Sequence, residues 1–64
     1  MDKLLTLDEA AARMNTGRRF VRRLVAEQRI PYHKLGKHVR IHERDLEEFI
    51  ASGRIEARPL AEAG

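Results

Sequence analysis

The chain has 64 residues, of which 36% are charged, and it contains no cysteine. A chain of this length forms one small domain with a thin core, and without cysteine it has neither a disulfide framework nor a thiolate metal site. The sequence shows no apolar run of the roughly 20 residues that span a bilayer and no signal-peptide pattern. We therefore expect a cytoplasmic protein.

The net charge of +3 conceals a separation of charge along the chain. Residues 13–40 contain nine Arg or Lys and one acidic residue, Glu27, for a net charge of +8. The flanking segments, residues 1–12 and 41–64, carry net charges of −2 and −3. A basic segment between acidic ends is typical of a surface that binds a polyanion.

A first helix is predicted to start after Thr6 and to run to about Met14. Thr6 and Glu9 have the spacing of a capping box, in which each side chain accepts a hydrogen bond from the other residue's amide. Ala10 and Ala11 are small residues on one face of this helix. Another helix can therefore pack closely against that face.

The tripeptide Asn15-Thr16-Gly17 interrupts the helical pattern. Its asparagine tolerates a left-handed backbone better than most residues, and either its threonine or its glycine can cap a second helix. Pro31 follows that second helix, which we predict to end near Gln28 or Arg29. Two short helices joined by a tight turn are a helix-turn-helix.

The second helix has an apolar side and a basic side at helical spacing. The apolar residues are Phe20, Val21, Leu24 and Val25. The basic residues are Arg18, Arg19, Arg22 and Arg23. Like charges four residues apart destabilise a helix, and cations near its N-terminus oppose the helix dipole. A polyanion bound to the basic side would compensate for both effects. A solvated basic surface is the simpler alternative, but such surfaces normally mix both signs of charge.

Two extended segments, residues 32–35 and 38–41, flank Gly36-Lys37. Glycine at the first turn position suits a two-residue hairpin of type II′. The expected cross-strand pairs are Tyr32 with Ile41 and Lys34 with Val39. The expected inner face consists of Tyr32, Val39 and Ile41. The basic residues around the tip are Lys34, Lys37, His38 and Arg40. A hairpin that follows a helix-turn-helix is a wing, and this basic tip is suited to DNA phosphates or the minor groove.

A third helix is predicted to start at residues 42–45. Glu43 and Asp45 suit the N-terminal end of a helix dipole, whereas His42 is a poor cap. The predicted inner stripe is Leu46, Phe49 and Ile50. We expect Gly53 to end the helix in a left-handed conformation.

The predicted fold is mainly α with a small β-hairpin, which is the arrangement of a winged helix-turn-helix. We expect this DNA-binding domain to occupy residues 1–53 and a flexible C-terminal tail to occupy residues 54–64. Either Leu4 or Leu5, in the segment that precedes the first helix, is expected to cover the core.

Several motifs occur in a fixed order: Leu5-Thr6-Leu7-Asp8-Glu9-Ala10-Ala11, Arg18-Arg19-Phe20-Val21-Arg22-Arg23-Leu24-Val25, Arg29-Ile30-Pro31-Tyr32, Lys34-Leu35-Gly36-Lys37, Arg40-Ile41 and Asp45-Leu46-Glu47-Glu48-Phe49-Ile50. In this order and spacing they resemble the excisionase family of small winged-helix DNA-binding proteins, which are related to the MerR-type helix-turn-helix. In that family the second helix enters the major groove and the wing contacts the minor groove or backbone. The resemblance implies that Arg18, Arg19, Arg22 and Arg23 contact the groove and phosphates and that Lys37 is the wing contact.

Two features depart from the family pattern. The family usually has Gly and Ser in the turn between the first two helices, where this chain has Asn15 and Gly17, so the serine hydroxyl that caps the helix and touches a phosphate is missing. The position of Phe20 is often a small hydroxyl residue. We favour Phe20 as a core residue, and the alternative is a contact with a thymine methyl group or a sugar.

The resemblance implies an excisionase, also called a recombination directionality factor. Such a protein binds repeated sites beside an attachment site, bends the DNA and helps an integrase to excise a prophage. The implied partners are double-stranded DNA, neighbouring copies of the protein and a phage integrase, and the bound protein would be associated with the nucleoid. The first alternative is a small transcriptional regulator of the same fold. The second is a protein-interaction adaptor whose basic helix meets an acidic partner.

The predicted DNA-binding residues are Thr16, Arg18, Arg19, Arg22, Arg23, Lys34, Lys37, His38 and Arg40. Because half to two-thirds of protein–DNA hydrogen bonds go to the backbone, we expect only one or two of the arginines to read bases. Arg19 and Arg22 lie nearest the centre of the basic side and are our choice.

The three histidines, His33, His38 and His42, lack the spacing of a zinc site on a helix face. No pair of side chains resembles acid–base machinery, and neither a Ser-His pair nor a glycine-rich phosphate loop is present. We therefore predict no metal, no cofactor and no enzymatic activity.

Overall fold

The computed structural model describes residues 3–57, which fold into three short helices and a three-stranded antiparallel sheet. In chain order the elements are β1 (Leu4–Leu5), α1 (Leu7–Met14), α2 (Arg18–Ala26), β2 (His33–Leu35), β3 (His38–His42) and α3 (Glu43–Ser52). This architecture is a winged helix-turn-helix, as predicted. Residues 54–57 form no helix or strand, and the rest of the predicted tail, residues 58–64, lies outside the described residues. Within residues 3–57 no helix has the length and apolar character needed to cross a membrane.

α1 begins where the sequence predicts it, because Thr6 and Glu9 form the capping box. The Thr6 hydroxyl accepts from the Glu9 amide at 3.0 Å, and a Glu9 carboxylate oxygen accepts from the Thr6 amide at 2.9 Å. The second of these hydrogen bonds is the main reason that the pKa of Glu9 is lowered. α1 ends at Asn15, whose left-handed backbone (φ 54°) lets the next amide, that of Thr16, donate to the Ala11 carbonyl at 2.9 Å. This pattern is a Schellman motif.

α2 ends at Ala26 and not near Gln28 or Arg29, as the sequence pattern suggested. The chain turns because Gln28 also adopts a left-handed conformation (φ 54°), which lets the Arg29 amide donate to the Leu24 carbonyl at 2.9 Å. The turn directs Ile30 into the core, where it is 2% exposed. Burial of Ile30 therefore sets the end of the helix, and Pro31 only follows it.

The segment before α1 is a strand, which the sequence pattern did not predict. β1 pairs with β3 and places Leu5 opposite Ile41. The Glu43 amide extends this contact by donating to the Lys3 carbonyl at 2.8 Å. The sheet order is β1-β3-β2, so β3 is central and anchors the wing to the helices. A strand of two residues has no alternating pattern that could identify it in the sequence.

β2 and β3 form the predicted wing. Lys34 lies opposite Val39 as expected, and the other paired residues are His33 with Arg40 and Leu35 with His38. Gly36 has a φ of 63°, which suits the first central position of a type II′ turn. The strands of the wing therefore have the register that is expected for a two-residue turn at Gly36-Lys37.

The expected place of Tyr32 on the inner face is wrong. Tyr32 precedes β2, takes no part in the ladder with β3 and is 37% exposed. Leu5 occupies the position opposite Ile41 instead, on the other edge of β3, and both of these residues are buried. Leu5, and not Tyr32, is therefore the buried residue paired with Ile41.

Three expectations about α3 are corrected. His42 does cap the helix, because its Nδ1 accepts from the Arg44 amide at 3.1 Å. Gly53 is not left-handed, since its φ is −88°. Within the predicted inner stripe Leu46 is buried, but Ile50 is 47% exposed. α3 packs mainly on β3, and Phe49 in its last turn still packs against the core, so the inner face of the helix consists of Leu46 and Phe49 without Ile50.

The core is formed by apolar residues from the three helices, from β1 and β3, and from the loop after α2. They are Leu5, Ala10, Ala11, Val21, Leu24, Ile30, Ile41 and Leu46. Leu7, Met14, Val25 and Phe49 are partly buried and pack against it. Within residues 3–57 no polar or charged residue is buried. Every charged side chain of the described chain therefore reaches the surface, and the fold decides which surface each one occupies.

Candidate nucleic-acid interface

The basic side of α2 faces solvent. Val21 and Leu24 are buried in the core, at 0% and 1% exposure, and this fixes the rotation of the helix about its axis. Because successive helical residues are 100° apart, the four arginines of α2 then project outwards, and all of them are exposed. The helix starts at Gly17, which supplies no side-chain cap, and its first turn has no acidic residue. The unbalanced positive charge expected from the sequence is therefore present at the surface.

The arginines of α2 differ in their partners. Arg19, Arg22 and Arg23 form no ion pair and no side-chain hydrogen bond within residues 3–57. A nitrogen of Arg18 lies 3.4 Å from a carboxylate oxygen of Asp8, and both side chains are mostly exposed. Such an exposed pair contributes about 0–1 kcal/mol, so Arg18 can exchange Asp8 for another anion at little cost.

Three arginines elsewhere on the described surface are paired with acids. Arg13 contacts Glu43 at 2.7 Å and so connects α1 to α3. Arg29 lies 3.7 Å from Glu27, and a third pair joins Arg54 to Glu56 at 2.8 Å. The basic segment seen in the sequence is therefore partly neutralised, and its unmatched charge is concentrated on α2 and the wing.

A surface cleft of about 520 Å³ lies between α2 and the wing. Its lining residues are Thr6, Leu7, Asp8, Arg18, Arg22, Lys37, His38, Val39 and Arg40. Five of the predicted DNA-binding residues therefore meet in one place, although they come from two separate segments of the chain. Arg40 is half-buried there and donates from Nη1 to the Val39 carbonyl at 2.9 Å, which orients its guanidinium group. Four of its lining residues, Arg18, Arg22, Lys37 and Arg40, are cationic, against the single carboxylate of Asp8.

Asp8 is the acidic residue of this cleft, and sequence reasoning did not identify it as part of the site. In the sequence it is a first-turn acid that suits the N-terminus of α1. Only the fold brings it to Arg18, which is ten residues away. Its carboxylate sits where a bound phosphate would compete for the same guanidinium group.

The remaining predicted residues lie outside this cleft. Arg19 and Arg23 are on the part of α2 that faces away from the core and from the wing. Lys34 is exposed on β2. Thr16 is exposed in the turn before α2 and lines a different groove, with Met14, Phe49 and Ile50. The structure thus divides the predicted residues into three groups. Five line the cleft between α2 and the wing, which we call the wing cleft, Arg19 and Arg23 lie on the outer face of α2, and Lys34 and Thr16 lie outside both.

The expectation that Phe20 belongs to the core is wrong. Phe20 is 39% exposed and is neither in the buried cluster nor among the side chains packed against it. Val21 and Leu24 set the inward direction of α2, and Phe20 lies about 70° from that direction by helical spacing. It therefore sits at the border of the basic side, next to Arg23 and on the opposite edge from Arg18.

Two of the three histidines lie close together, and the third lies apart from them. The rings of His33 and His42 lie 6.3 Å apart between centroids, and His38 is at the wing tip. Within residues 3–57 no group of three His, Asp or Glu side chains is placed to hold a metal ion.

The family of the chain follows from a comparison with protein-family models. Residues 4–54 match the model of a family described as a helix-turn-helix domain. The chain belongs to this helix-turn-helix family. The family includes excisionase-like DNA-binding proteins, and it points to DNA as the partner. No match was found among curated proteins or among solved structures.

The matched residues contain every helix and strand of the described structure. α1, the turn at residues 15–17 and α2 form the helix-turn-helix itself, with α2 in the place of the recognition helix. β2 and β3 form the wing beside it. The exposed arginines of α2 and the wing cleft are therefore parts of one surface of a helix-turn-helix domain.

Proposed function

We propose that this protein is a sequence-specific DNA-binding excisionase. In this proposal α2 enters the major groove and the wing contacts the minor groove or the backbone. The protein binds repeated sites, bends the DNA and directs an integrase to excise a prophage. It acts without catalysis, in the cytoplasm, where it associates with the nucleoid when bound. The observation that carries the DNA-binding part is the exposed set of Arg19, Arg22 and Arg23, which have no ion-pair partner within residues 3–57 and lie next to the basic wing cleft.

The geometry supports two different roles for the basic residues, one in phosphate contact and one in base contact. The wing cleft, with Arg18 and Arg22 on one wall and Lys37 on the other, suits a phosphate of the backbone that runs between recognition helix and wing. Arg19 projects from the middle of the exposed side of α2, where a base edge would lie. An arginine there can donate two hydrogen bonds to guanine O6 and N7, which is worth about 1–3 kcal/mol of discrimination.

Binding to repeated sites follows from the size of the domain. A single module of this kind buries roughly 600–1,000 Å² on DNA, which gives modest affinity. The wing carries exposed basic residues, whereas α3 exposes Glu47 and Glu48. Copies bound side by side can bring these opposite charges together and gain affinity that one copy lacks. The excisionase role itself rests on the resemblance of the motifs and on a family that includes excisionase-like proteins.

The first test measures DNA affinity against salt concentration for the wild-type protein and for Arg22→Ala. Five phosphate contacts predict a slope of about −4 to −5 for log K against log salt on duplex DNA. Because Arg22 is exposed and has no partner in the described part of the chain, its loss should leave folding unchanged, weaken DNA binding about tenfold and reduce the slope by about 1. Fluorescence anisotropy with a labelled duplex provides the affinities.

Arg54→Ala is the matched control. It also removes one positive charge, but Arg54 is paired with Glu56 and belongs neither to α2 nor to the wing cleft. It should bind DNA nearly as well as the wild type. If Arg22→Ala and Arg54→Ala bind equally well, the DNA-binding surface is misassigned, and a salt-independent complex with an acidic protein would favour the adaptor.

Footprinting on DNA from the protein's own genetic neighbourhood distinguishes the roles that remain. An excisionase should protect several phased sites close to an integrase-binding region. Occupancy of adjacent sites should rise more steeply than that of a single isolated site. One palindromic site near a promoter, filled without cooperativity, would instead identify the small transcriptional regulator.

A further inference from the structure

An exposed phenylalanine on the recognition helix is not explained by the core or by the charge of the surface. Phe20 is 39% exposed, although phenylalanine gains up to about 3 kcal/mol when fully buried. It is the third residue of α2, and in helix-turn-helix domains the N-terminal residues of this helix are the ones that reach base edges. An apolar ring in that position is available to an apolar group of a bound partner.

We propose that Phe20 is a specificity-determining residue that packs against the C5-methyl group of a thymine in the major groove. The inference rests on the proposed binding of α2 in that groove. Thymine is the base that offers an apolar group there, and contact of phenylalanine with this methyl group is one of the established modes of base readout. The remaining groups on the major-groove edge are hydrogen-bond donors and acceptors, which a phenyl ring cannot satisfy.

The position of Phe20 at the edge of the basic side fits this partner. Arg19 points towards the centre of the groove, and Phe20 lies about 100° further round the helix. The thymine methyl group lies on the side of the base pair that is nearest to its own sugar–phosphate backbone. A residue at the flank of the helix meets that side of the groove, whereas a residue at the centre meets the middle of the base-pair edge.

The neighbouring charge strengthens the argument. Arg23 is one turn further along the same flank, exposed and without a partner in the described chain. With Arg23 on a phosphate of the thymine strand, the ring of Phe20 is held against the groove wall. Arg18 and Arg22 occupy the opposite flank, beside the wing. The two flanks of α2 would then differ in chemistry, one holding phosphate through the wing cleft and the other reading thymine.

The test replaces thymines by deoxyuridine, which removes the methyl group and changes no hydrogen bond. Each thymine of the footprinted site is substituted in turn, and affinities are measured for the wild type and for Phe20→Ala. The wild type should lose about three- to tenfold at one or two positions, the effect of exposing one methyl contact. Phe20→Ala should bind the unmodified site with a similar loss, and uridine at those positions should then have no further effect.

A further variant separates this contact from general effects. Ile50→Ala removes an apolar side chain of comparable exposure on α3, and it should keep the full sensitivity to uridine. The uridine series with the wild type requires no variant, so it still tests the contact if Phe20→Ala does not fold. Thermal unfolding establishes that each variant is folded.

The inference is overturned if uridine affects the wild type nowhere in the site, or if Phe20→Ala retains the same uridine sensitivity. The first result would leave Phe20 against a sugar or in solvent. Neither result affects the proposed DNA binding, which is judged separately by the salt dependence and by Arg22→Ala. Absence of any duplex binding by the wild type would refute both proposals together.

Discussion

Left-handed backbone conformation at single residues closes two of the three described helices, α1 and α2. Asn15 and Gln28 both have φ of 54°, and each closes a helix with a Schellman motif. Asparagine is a common choice for this conformation, whereas for glutamine the left-handed region costs about 1–2 kcal/mol. Gln28 is therefore strained in order to send Ile30 into the core.

Replacement of Gln28 by glycine should raise the free energy of unfolding by about 0.5–1 kcal/mol. Relief of the left-handed strain exceeds the extra chain entropy that glycine loses on folding. Urea denaturation measures the change. Gly53→Ala makes the reverse type of substitution, glycine to a residue with a Cβ, at a helix end that is not left-handed. Gly53 has φ −88°, and its added Cβ would lie no closer than 3.6 Å to the Ile50 carbonyl oxygen. That variant should also gain up to about 1 kcal/mol. A destabilised Gln28→Gly would show that the glutamine side chain itself is required.

At the scale of elements, the three helices differ in how strongly their N-terminal caps stabilise them. α1 has a full capping box, α2 has only a glycine, and α3 depends on the imidazole of His42. α2 is therefore the helix with the least local support, since its cap makes no side-chain hydrogen bond and its first turn is cationic. Its stability comes from Val21 and Leu24 in the core. The recognition helix is held by packing, which leaves its outer side available for a ligand.

The capping box of α1 should make stability depend on pH in the acid range. The pKa of Glu9 is lowered mainly by the hydrogen bond from the Thr6 amide, with Lys3 assisting and desolvation opposing. Because the folded pKa lies below the unfolded one, this stabilisation is complete above the ordinary glutamate value, about 4.3, and disappears as pH falls through the lower folded value.

Glu9→Gln keeps the acceptor oxygen of the capping box but cannot ionise. The wild type should therefore be the more stable protein at pH 6, and the difference between the two should shrink towards pH 3. Thermal unfolding at the two pH values measures this difference. A gap that stays constant with pH would mean that the Glu9 carboxylate is not what the acid disrupts.

For the whole molecule, β1 joins the start of the chain to the wing. Leu5 is 1% exposed and pairs with Ile41 on the central strand. This single pair belongs to the buried cluster that also contains residues of α1 and α3, and it therefore links these helices to the sheet. A domain of about 60 residues buries only about 60% of its extended surface, and its margin of stability is small. Loss of such a contact is therefore expected to affect the protein as a whole.

Leu5→Ala should lower the free energy of unfolding by about 2–4 kcal/mol, because it leaves a cavity at the junction of sheet and helices. The wing should lose protection from hydrogen exchange together with α1, since both depend on β3. Leu4→Ala is the matched control: Leu4 is adjacent in the chain but 39% exposed, and its loss should cost less than about 1 kcal/mol. Equal effects of the two variants would argue against the anchoring role of β1.

The sequence by itself determined the elements whose signals are local. The capping box, the break at residues 15–17, the basic side of α2 and the glycine turn of the wing each depend on residues within a few positions of one another. Their spacing identified the winged helix-turn-helix and the arginines of α2. Phe20, Tyr32 and Ile50 were misplaced, because a helical or alternating pattern shows that an apolar residue is near the inner face but not whether the core has room for it.

Tertiary structure alone decided the features that join distant segments. The two residues of β1 become a strand only by pairing with β3, and Asp8 becomes part of the site only because α2 brings Arg18 beside it. The wing cleft likewise exists because β3 holds the hairpin next to α2. The physical reason is that such contacts depend on how a limited core volume is filled, and that is settled by all the elements together.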